Sequence, residues 1–151
     1  MRVVLQIVSS ASVTWEEKIV ASIGRGYLLL VGFCGEDDEE TVRKMAEKIM
    51  KLRVFPDEQG KTNLSLSAVS GAILAVSQFT LYGSVKEGNR PAFTSAMPAS
   101  QAKDLYAYFC HYLKGRLPSL QHNVFQTDCQ VALVNDGPFT LILDSQELFH
   151  R

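Results

Sequence analysis

The chain has 151 residues and a mass of 16.8 kDa, the size of one domain, able to bury roughly 68–70% of its unfolded surface. Hydrophobic residues make up 46% and charged residues 21%, with ten Gly and five Pro, which excludes disorder and collagen-like repeats. Fifteen basic against sixteen acidic residues give a net charge of −1, so no global positive field exists to hold a long duplex, and any nucleic-acid contact is local or confined to a short end.

Val3 to Val8 is a β-branched run that reads as a strand, and Ala11–Trp15 with Lys18–Ser22 reads as a hairpin. Ile23-Gly24-Arg25-Gly26 is a turn signal leading into the apolar run Tyr27–Phe33, a strand buried on both faces. Glu36-Asp37-Asp38-Glu39-Glu40 lacks the ligand spacing and glycine of a Ca²⁺ loop. It reads instead as a helix start, with Asp37 and Glu40 as a capping box. Val42, Met45, Ile49 and Leu52 recur at helical spacing, with a basic face that is solvated surface or, as the lesser alternative, an RNA contact. Pro56–Lys61 is a loop, and Ala72–Leu81 is the second strong strand. Gly83–Pro91 is a polar connection carrying Lys86 and Arg90. A second helix starts near Ser100, buries Ala102, Leu105, Tyr106, Phe109, Tyr112 and Leu113, and stops before Leu117-Pro118. Two strands close the chain, Cys129–Val134 and Phe139–Leu143, around Asn135-Asp136-Gly137-Pro138.

Many strands with few helices between them argue against a doubly wound parallel sheet. The expected fold is α/β: curled, mixed or antiparallel sheets forming a barrel-like core with two main helices, as a single domain over residues 1–151. Three cysteines without CxxC spacing fit neither a disulfide framework nor a zinc site. The opening apolar stretch is too short for a signal peptide, and no window approaches the length of a membrane span. The expectation is a reduced, soluble, cytoplasmic protein with no membrane partner.

Standard enzyme motifs are missing: no GxSxG, P-loop, GxGxxG or HExxH occurs. His111, His122 and His150 show no metal-ligand spacing, so neither a metal nor any other cofactor is expected. His111 and Cys110 are helix neighbours that face different directions. Cys34, at the end of a buried strand, reads as inert more readily than as a nucleophile. Two segments are unusual for scaffolding. In Ser77-Gln78-Phe79-Thr80, hydrogen-bonding side chains end an apolar strand, either as a functional pocket or as a strand emerging into water. Asn135-Asp136-Gly137-Pro138-Phe139-Thr140 is either functional or an ordinary turn, since these are turn residues.

Taken together, these segments change the balance. The chain resembles the D-aminoacyl-tRNA deacylase family along nearly its whole length: at Met1–Gln6, Ala11-Ser12-Val13, Ile23–Gly26, Leu52–Phe55, Ser77–Leu81, the looser Gly88–Phe93, and Asn135–Thr140. The resemblance implies a homodimer acting on the 3′ CCA end of aminoacylated tRNA. D-aminoacyl and glycyl esters would be hydrolysed and L-aminoacyl esters excluded. Ser77, Gln78, Phe79 and Thr80 would line each catalytic pocket. Gly137 and Pro138 would reach in from the partner subunit, with a cis peptide in the family, and present backbone to the substrate's α-carbon. Backbone makes a firmer wall than side chains, which change rotamer; Gly137 permits close approach and Pro138 fixes φ.

For the ester chemistry, fixed N–H donors best stabilise the developing oxyanion. The amides around Gln78, Phe79 and Thr80 are candidates, with the Ser77 and Thr80 hydroxyls assisting. Thr80 has no base nearby in sequence to make it a nucleophile, and the resemblance implies that the tRNA 2′-OH assists attack by water. Phe125 and Cys129 would hold the terminal adenine; Lys86 and Arg90 are phosphate contacts or plain surface. The chain departs from the family pattern at Ile7, where Arg follows Gln6, at Cys129, usually Met, at Phe139, more commonly Val, and in His122-Asn123-Val124, which replaces a Gly-rich approach. These departures keep open a deacylase shifted toward mischarged L-Ala, and a non-catalytic nucleic-acid-binding relative is a further alternative.

Overall fold

The computed structural model describes residues 1–150. β1 (Arg2–Trp15) organises the sheet: one edge pairs along its length with β8 (Gln130–Asp144), and the other pairs first with β3 (Gly26–Gly32) and then with β2 (Lys18–Ile23), all antiparallel. The register against β8 shifts around Val8, and the buried positions change parity there. Val3, Leu5 and Ile7 belong to one apolar cluster, whereas Val8, Ala11 and Val13 belong to another. Such an irregularity turns a strand's apolar side chains from one face to the other, so one strand serves both sides of a curled sheet.

β3 continues the sheet through a parallel pairing with β6 (Ala72–Ser77), which pairs in parallel with the short β7 (Gln121–His122). Tyr27, Leu29, Ile73 and Ala75 face the helix-covered cluster, and Leu28, Leu74 and Val76 face the interior of the curl. Burial on both faces explains why these strands read as continuous apolar runs. Two helices, α1 (Glu39–Lys51) and α2 (Ala99–Arg116), cover the outer cluster, joined by a short α3 (Ser145–Phe149). The result is the mixed α/β, barrel-like architecture expected. No helix among the described residues is long and apolar enough to cross a membrane.

Several local expectations are corrected. The cap of α1 is Asp38, which accepts the Thr41 N–H at 2.8 Å. Asp37 turns inward, accepting the Cys34 N–H at 2.7 Å and bonding the Met1 amino group. Leu105 and Tyr112 are only half-buried, while Cys110 joins the buried face of α2. A small hairpin of β4 (Arg53–Pro56) and β5 (Thr62–Ser65) flanks the predicted Pro56–Lys61 loop. The strand expected over Ala72–Leu81 ends at Ser77. The Gln78 N–H donates to the Val31 carbonyl at 2.7 Å, β3 ends one residue later, and the chain then winds into a 3₁₀ turn, Phe79–Tyr82. The two terminal strands are one: β8 runs through Asn135–Thr140, with Asn135 paired to Val8 and Thr140 to Gln6. Asp136–Phe139 bulge out between those pairings, opposite Ile7. The Gly137–Pro138 peptide is trans, the isomer that an X–Pro bond ordinarily favours, and both residues are exposed.

Candidate active site

Because β3 and β6 are parallel, both end at the same edge of the sheet, where the chain must leave it in loops; such edges are where ligand sites form in parallel sheets. A cavity of about 750 Å³ opens there. Its floor is Val31, Gly32 and Phe33 from the end of β3 and Val76, Ser77, Gln78 and Phe79 from the end of β6. Phe93, Met97 and Ala102 close one side, and Phe125 to Cys129 close the other. The volume lies within the usual range for small-molecule sites, and the walls are mainly apolar, with polar side chains from the Ser77–Gln78 and Gln126–Asp128 segments.

The cavity thus brings together Ser77, Gln78, Phe79, Phe125 and Cys129 from the residues singled out in sequence. Thr80 sits one step outside the lining, on the 3₁₀ turn. Phe79 is 58% exposed and meets Phe93 edge-on, with ring centroids 5.1 Å apart. Lys86 and Arg90 stand exposed on the loop after the turn, away from the cavity walls. On α1, Arg43 and Lys44 are paired with Glu47 and Glu40, which compensates part of the basic face. Gly137 and Pro138 do not line the same chain's cavity. The neck of their bulge is tied by Asn135, whose side chain accepts the Phe139 N–H at 3.1 Å and donates to Thr140 Oγ1 at 3.1 Å. Gln6 donates to the same hydroxyl at 3.2 Å. The polar residues of this segment therefore do more than permit a turn.

The chemistry available around Ser77–Thr80 is specific. The Gln78 N–H, a candidate donor in sequence, is spent on Val31. The Phe79 and Thr80 N–H groups open the 3₁₀ turn, and neither donates to a protein acceptor among the described residues, as expected of the first amides of such a turn. Thr80 Oγ1 accepts from the Gln78 side-chain amide. No histidine lines the cavity; its carboxylate, Asp128, lies at the exposed rim. Cys110 is buried, and burial pushes its thiol up to about 12, so it is protonated and unreactive at neutral pH. Behind the floor, Asn123 and Tyr106 bond to Ser77 and Ala75. Sequence reasoning passed over both, since Tyr106 fits an apolar helix stripe and Asn123 a polar loop. Phe93 lay inside the Gly88–Phe93 motif without an assigned role.

A curled mixed sheet with an apolar cavity at the ends of its parallel strands, and unengaged backbone N–H groups at the cavity's edge, defines the class: a small α/β protein with a ligand-sized site. The profile of the family described as D-Tyr-tRNA(Tyr) deacylase matches residues 4–144. The chain is 49% identical over 144 residues to the D-aminoacyl-tRNA deacylase of Lactobacillus gasseri, covering 95% of this chain and 99% of that one. It is 52% identical over 144 residues to the D-aminoacyl-tRNA deacylase of an Exiguobacterium species, covering 95% and 98%. Among solved structures, the c-Myc DNA Unwinding Element Binding Protein superposes with a TM-score of 0.90 at 40% identity, over 95% of this chain and 98% of that one. A probable eukaryotic D-amino acid tRNA deacylase shares the fold, with a TM-score of 0.85 at 17% identity, over 94% and 97%. The chain belongs to the D-Tyr-tRNA(Tyr) deacylase family and is an enzyme of the hydrolase class that acts on ester bonds.

Proposed function

We propose that the cavity receives the 3′-terminal aminoacyl-adenosine of a tRNA charged with a D-amino acid or glycine, and that the ester is hydrolysed there. The observation that carries this reading is the pair of unengaged N–H groups, Phe79 and Thr80, beside an aromatic-walled cavity of ligand size. Water attacks the ester carbonyl carbon, and the carbonyl oxygen takes up negative charge facing those donors. The C–O bond to the ribose then breaks, releasing the amino acid, and the water's proton passes to the ribose oxygen with help from the neighbouring 2′-OH. The absence of any imidazole from the cavity wall supports assistance by the substrate's own hydroxyl. Phe125 stacks against the adenine and Cys129 makes a smaller apolar contact with it, and Lys86 and Arg90 meet the phosphates of the CCA end. A single-stranded end needs little positive charge, which suits a net charge of −1.

Exclusion of L-aminoacyl esters falls to Gly137 and Pro138 of a second copy. Their exposure, and their absence from the same chain's cavity, support delivery from a partner. Exposed Phe79, Val85, Phe93, Val134 and Ile142 provide apolar surface for a homodimer. Ile7 is 5% exposed and opposes the bulge, so the loop is braced at its neck by Asn135, Thr140 and Gln6 rather than by a charged residue at position 7.

The deciding experiment compares hydrolysis of matched D-Tyr-, L-Tyr-, Gly- and L-Ala-tRNA by the purified protein. Rapid loss of the D and glycyl esters with L-Tyr spared is the expected result. Cleavage of L-Ala would mean a rearranged Gly-Pro wall and a shifted specificity. Survival of all four esters would replace the catalytic reading with a nucleic-acid-binding role, of the kind that the name of the 40% identical structure describes for that protein. Thr80→Ala is expected to keep kcat within about threefold of the native value, because its hydroxyl has no base to activate it. A loss of about a hundredfold or more would make Thr80 the nucleophile.

A further inference from the structure

Asn123 is 2% exposed and lies behind the cavity floor, immediately after β7. Its Oδ1 accepts the Ser77 N–H at 3.2 Å, and its Nδ2 donates to Ser77 Oγ at 3.2 Å. A main-chain N–H can only donate, so it fixes which end of the amide faces it and leaves the NH₂ end against the hydroxyl. The same Oδ1 lies 2.7 Å from the Tyr106 hydroxyl, which also approaches the Ala75 carbonyl at 3.0 Å. The Asn123 N–H donates to that carbonyl at 3.1 Å. Asn123 is thereby held from both β6 and α2, and it has little freedom to reorient. Burial raises the Tyr106 hydroxyl well above the ordinary tyrosine range, so it remains a donor at any working pH.

A hydroxyl that accepts from Asn123 keeps its own hydrogen for another partner. Ser77 Oγ donates to no protein acceptor among the described residues, and Ser77 lines the cavity. We infer that Asn123 is a positioning residue that presents the Ser77 hydroxyl to the cavity as a hydrogen-bond donor, aimed at a carbonyl oxygen of the ligand. The inference rests on the reading of the cavity as the ester site, which Asn123 deepens from outside the wall. A packing role alone would need only the shape of Asn123; this role needs its NH₂ group.

Asn123→Asp separates the two. The carboxylate has the same shape and accepts from the Ser77 N–H and Tyr106, but it cannot donate to Oγ and instead draws the hydroxyl hydrogen away from the cavity. The expected loss in kcat/KM is about tenfold, the usual effect of one such bond. Ser77→Ala is expected to lose as much, and Ser77→Ala/Asn123→Asp to fall within about twofold of Ser77→Ala alone. The ratio of Asn123→Asp to native activity should rise as pH falls, because a protonated carboxyl again donates to Oγ. The groups packed around it, His122 and Tyr106, with Cys110 and Cys129 against Tyr106, are present in both proteins, and the native pH profile measured in parallel is the reference.

An Asn123→Asp variant at native activity, or one that loses as much in the Ser77→Ala background as in the native one, would overturn the inference. Should Asn123→Asp not fold, Tyr106→Phe loosens the same amide, and its expected loss of about threefold should vanish when Ser77 is Ala. The same proteins are titrated with adenosine carrying D-tyrosine through a non-hydrolysable 3′-amide. Native protein that binds this compound yet hydrolyses no ester defeats the functional reading alone, and the Ser77–Asn123 coupling is then judged on Kd. Native protein that neither binds nor hydrolyses defeats both.

Discussion

Gly26→Ala is expected to leave little folded protein at 25 °C. A Cβ at Gly26 would lie 1.8 Å from the Ala72 carbonyl oxygen and 2.7 Å from that residue's carbonyl carbon and nitrogen. These are backbone atoms, with no rotamer to yield. Gly26 is also doubly engaged, opposite Val8 on β1 and Ala72 on β6, and the Ala72 N–H is already bonded to Arg25 at 2.9 Å. Relief therefore requires separating β3 from β6, the two strands buried on both faces. A cost of about 4–5 kcal/mol, at the upper end for single substitutions, is comparable with the whole stability of many domains. Gly24, two residues earlier, has nothing within 4 Å of its Cβ position, and Gly24→Ala should stay within about 1 kcal/mol of native. Urea unfolding of the two variants checks this. At a slope of about 1–3 kcal/mol per molar, Gly26→Ala should lose roughly 1.3 M or more in midpoint or be unfolded throughout. A midpoint close to that of Gly24→Ala would mean that the β3–β6 contact is not as described.

That contrast also shows what a sequence discloses. Ile23-Gly24-Arg25-Gly26 announces a turn, but the indispensable glycine is identified only by Ala72, far along the chain. The apolar runs of β3 and β6 and the periodicity of α1 were legible because burial on a face imposes its own period. The end of β6 was not: Ser77-Gln78-Phe79-Thr80 continues a plausible strand, and it turns because β3 has already ended beside it. Asp37 and Asp38 are equivalent in sequence, and only the positions of Cys34 and Met1 decide which turns inward. The cavity was legible in part for a similar reason. Ser77 stands out as a polar residue ending an apolar strand and Phe125 is reached only through the family resemblance, whereas Asn123 and Tyr106 acquire their significance from Ser77 and Ala75, which they meet only through tertiary packing.

Gly32→Ala is expected to reduce deacylation by about a hundredfold while leaving the protein folded. Gly32 is the last residue of β3 and part of the cavity floor. Its Cβ would lie 2.8 Å from the Gln78 carbonyl oxygen, 3.1 Å from Leu81 Cβ and 3.5 Å from Leu81 Cδ1. Gln78 and Leu81 bracket the Phe79 and Thr80 N–H groups, so the turn carrying those donors must move by a few tenths of an ångström or tilt. Unlike the Gly26 contact, this one falls at the exit of the sheet, where the turn can yield without parting two strands, so the loss appears in geometry more than in stability. Removing a single oxyanion donor typically costs about 10²–10³ in rate, and small misplacements of such groups cost nearly as much. The effect should fall on kcat, since the substitution moves the turn and leaves Phe125 and Cys129, the proposed adenine contacts on the far side of the cavity, untouched. Steady-state kinetics on D-Tyr-tRNA at a temperature where circular dichroism shows the variant folded reads this directly, with Gly35→Ala as control because nothing lies within 4 Å of its Cβ position. If Gly32→Ala keeps kcat within about threefold of the control, the donors that polarise the ester are not on the Phe79–Tyr82 turn, and the chemistry must be sought elsewhere around the cavity.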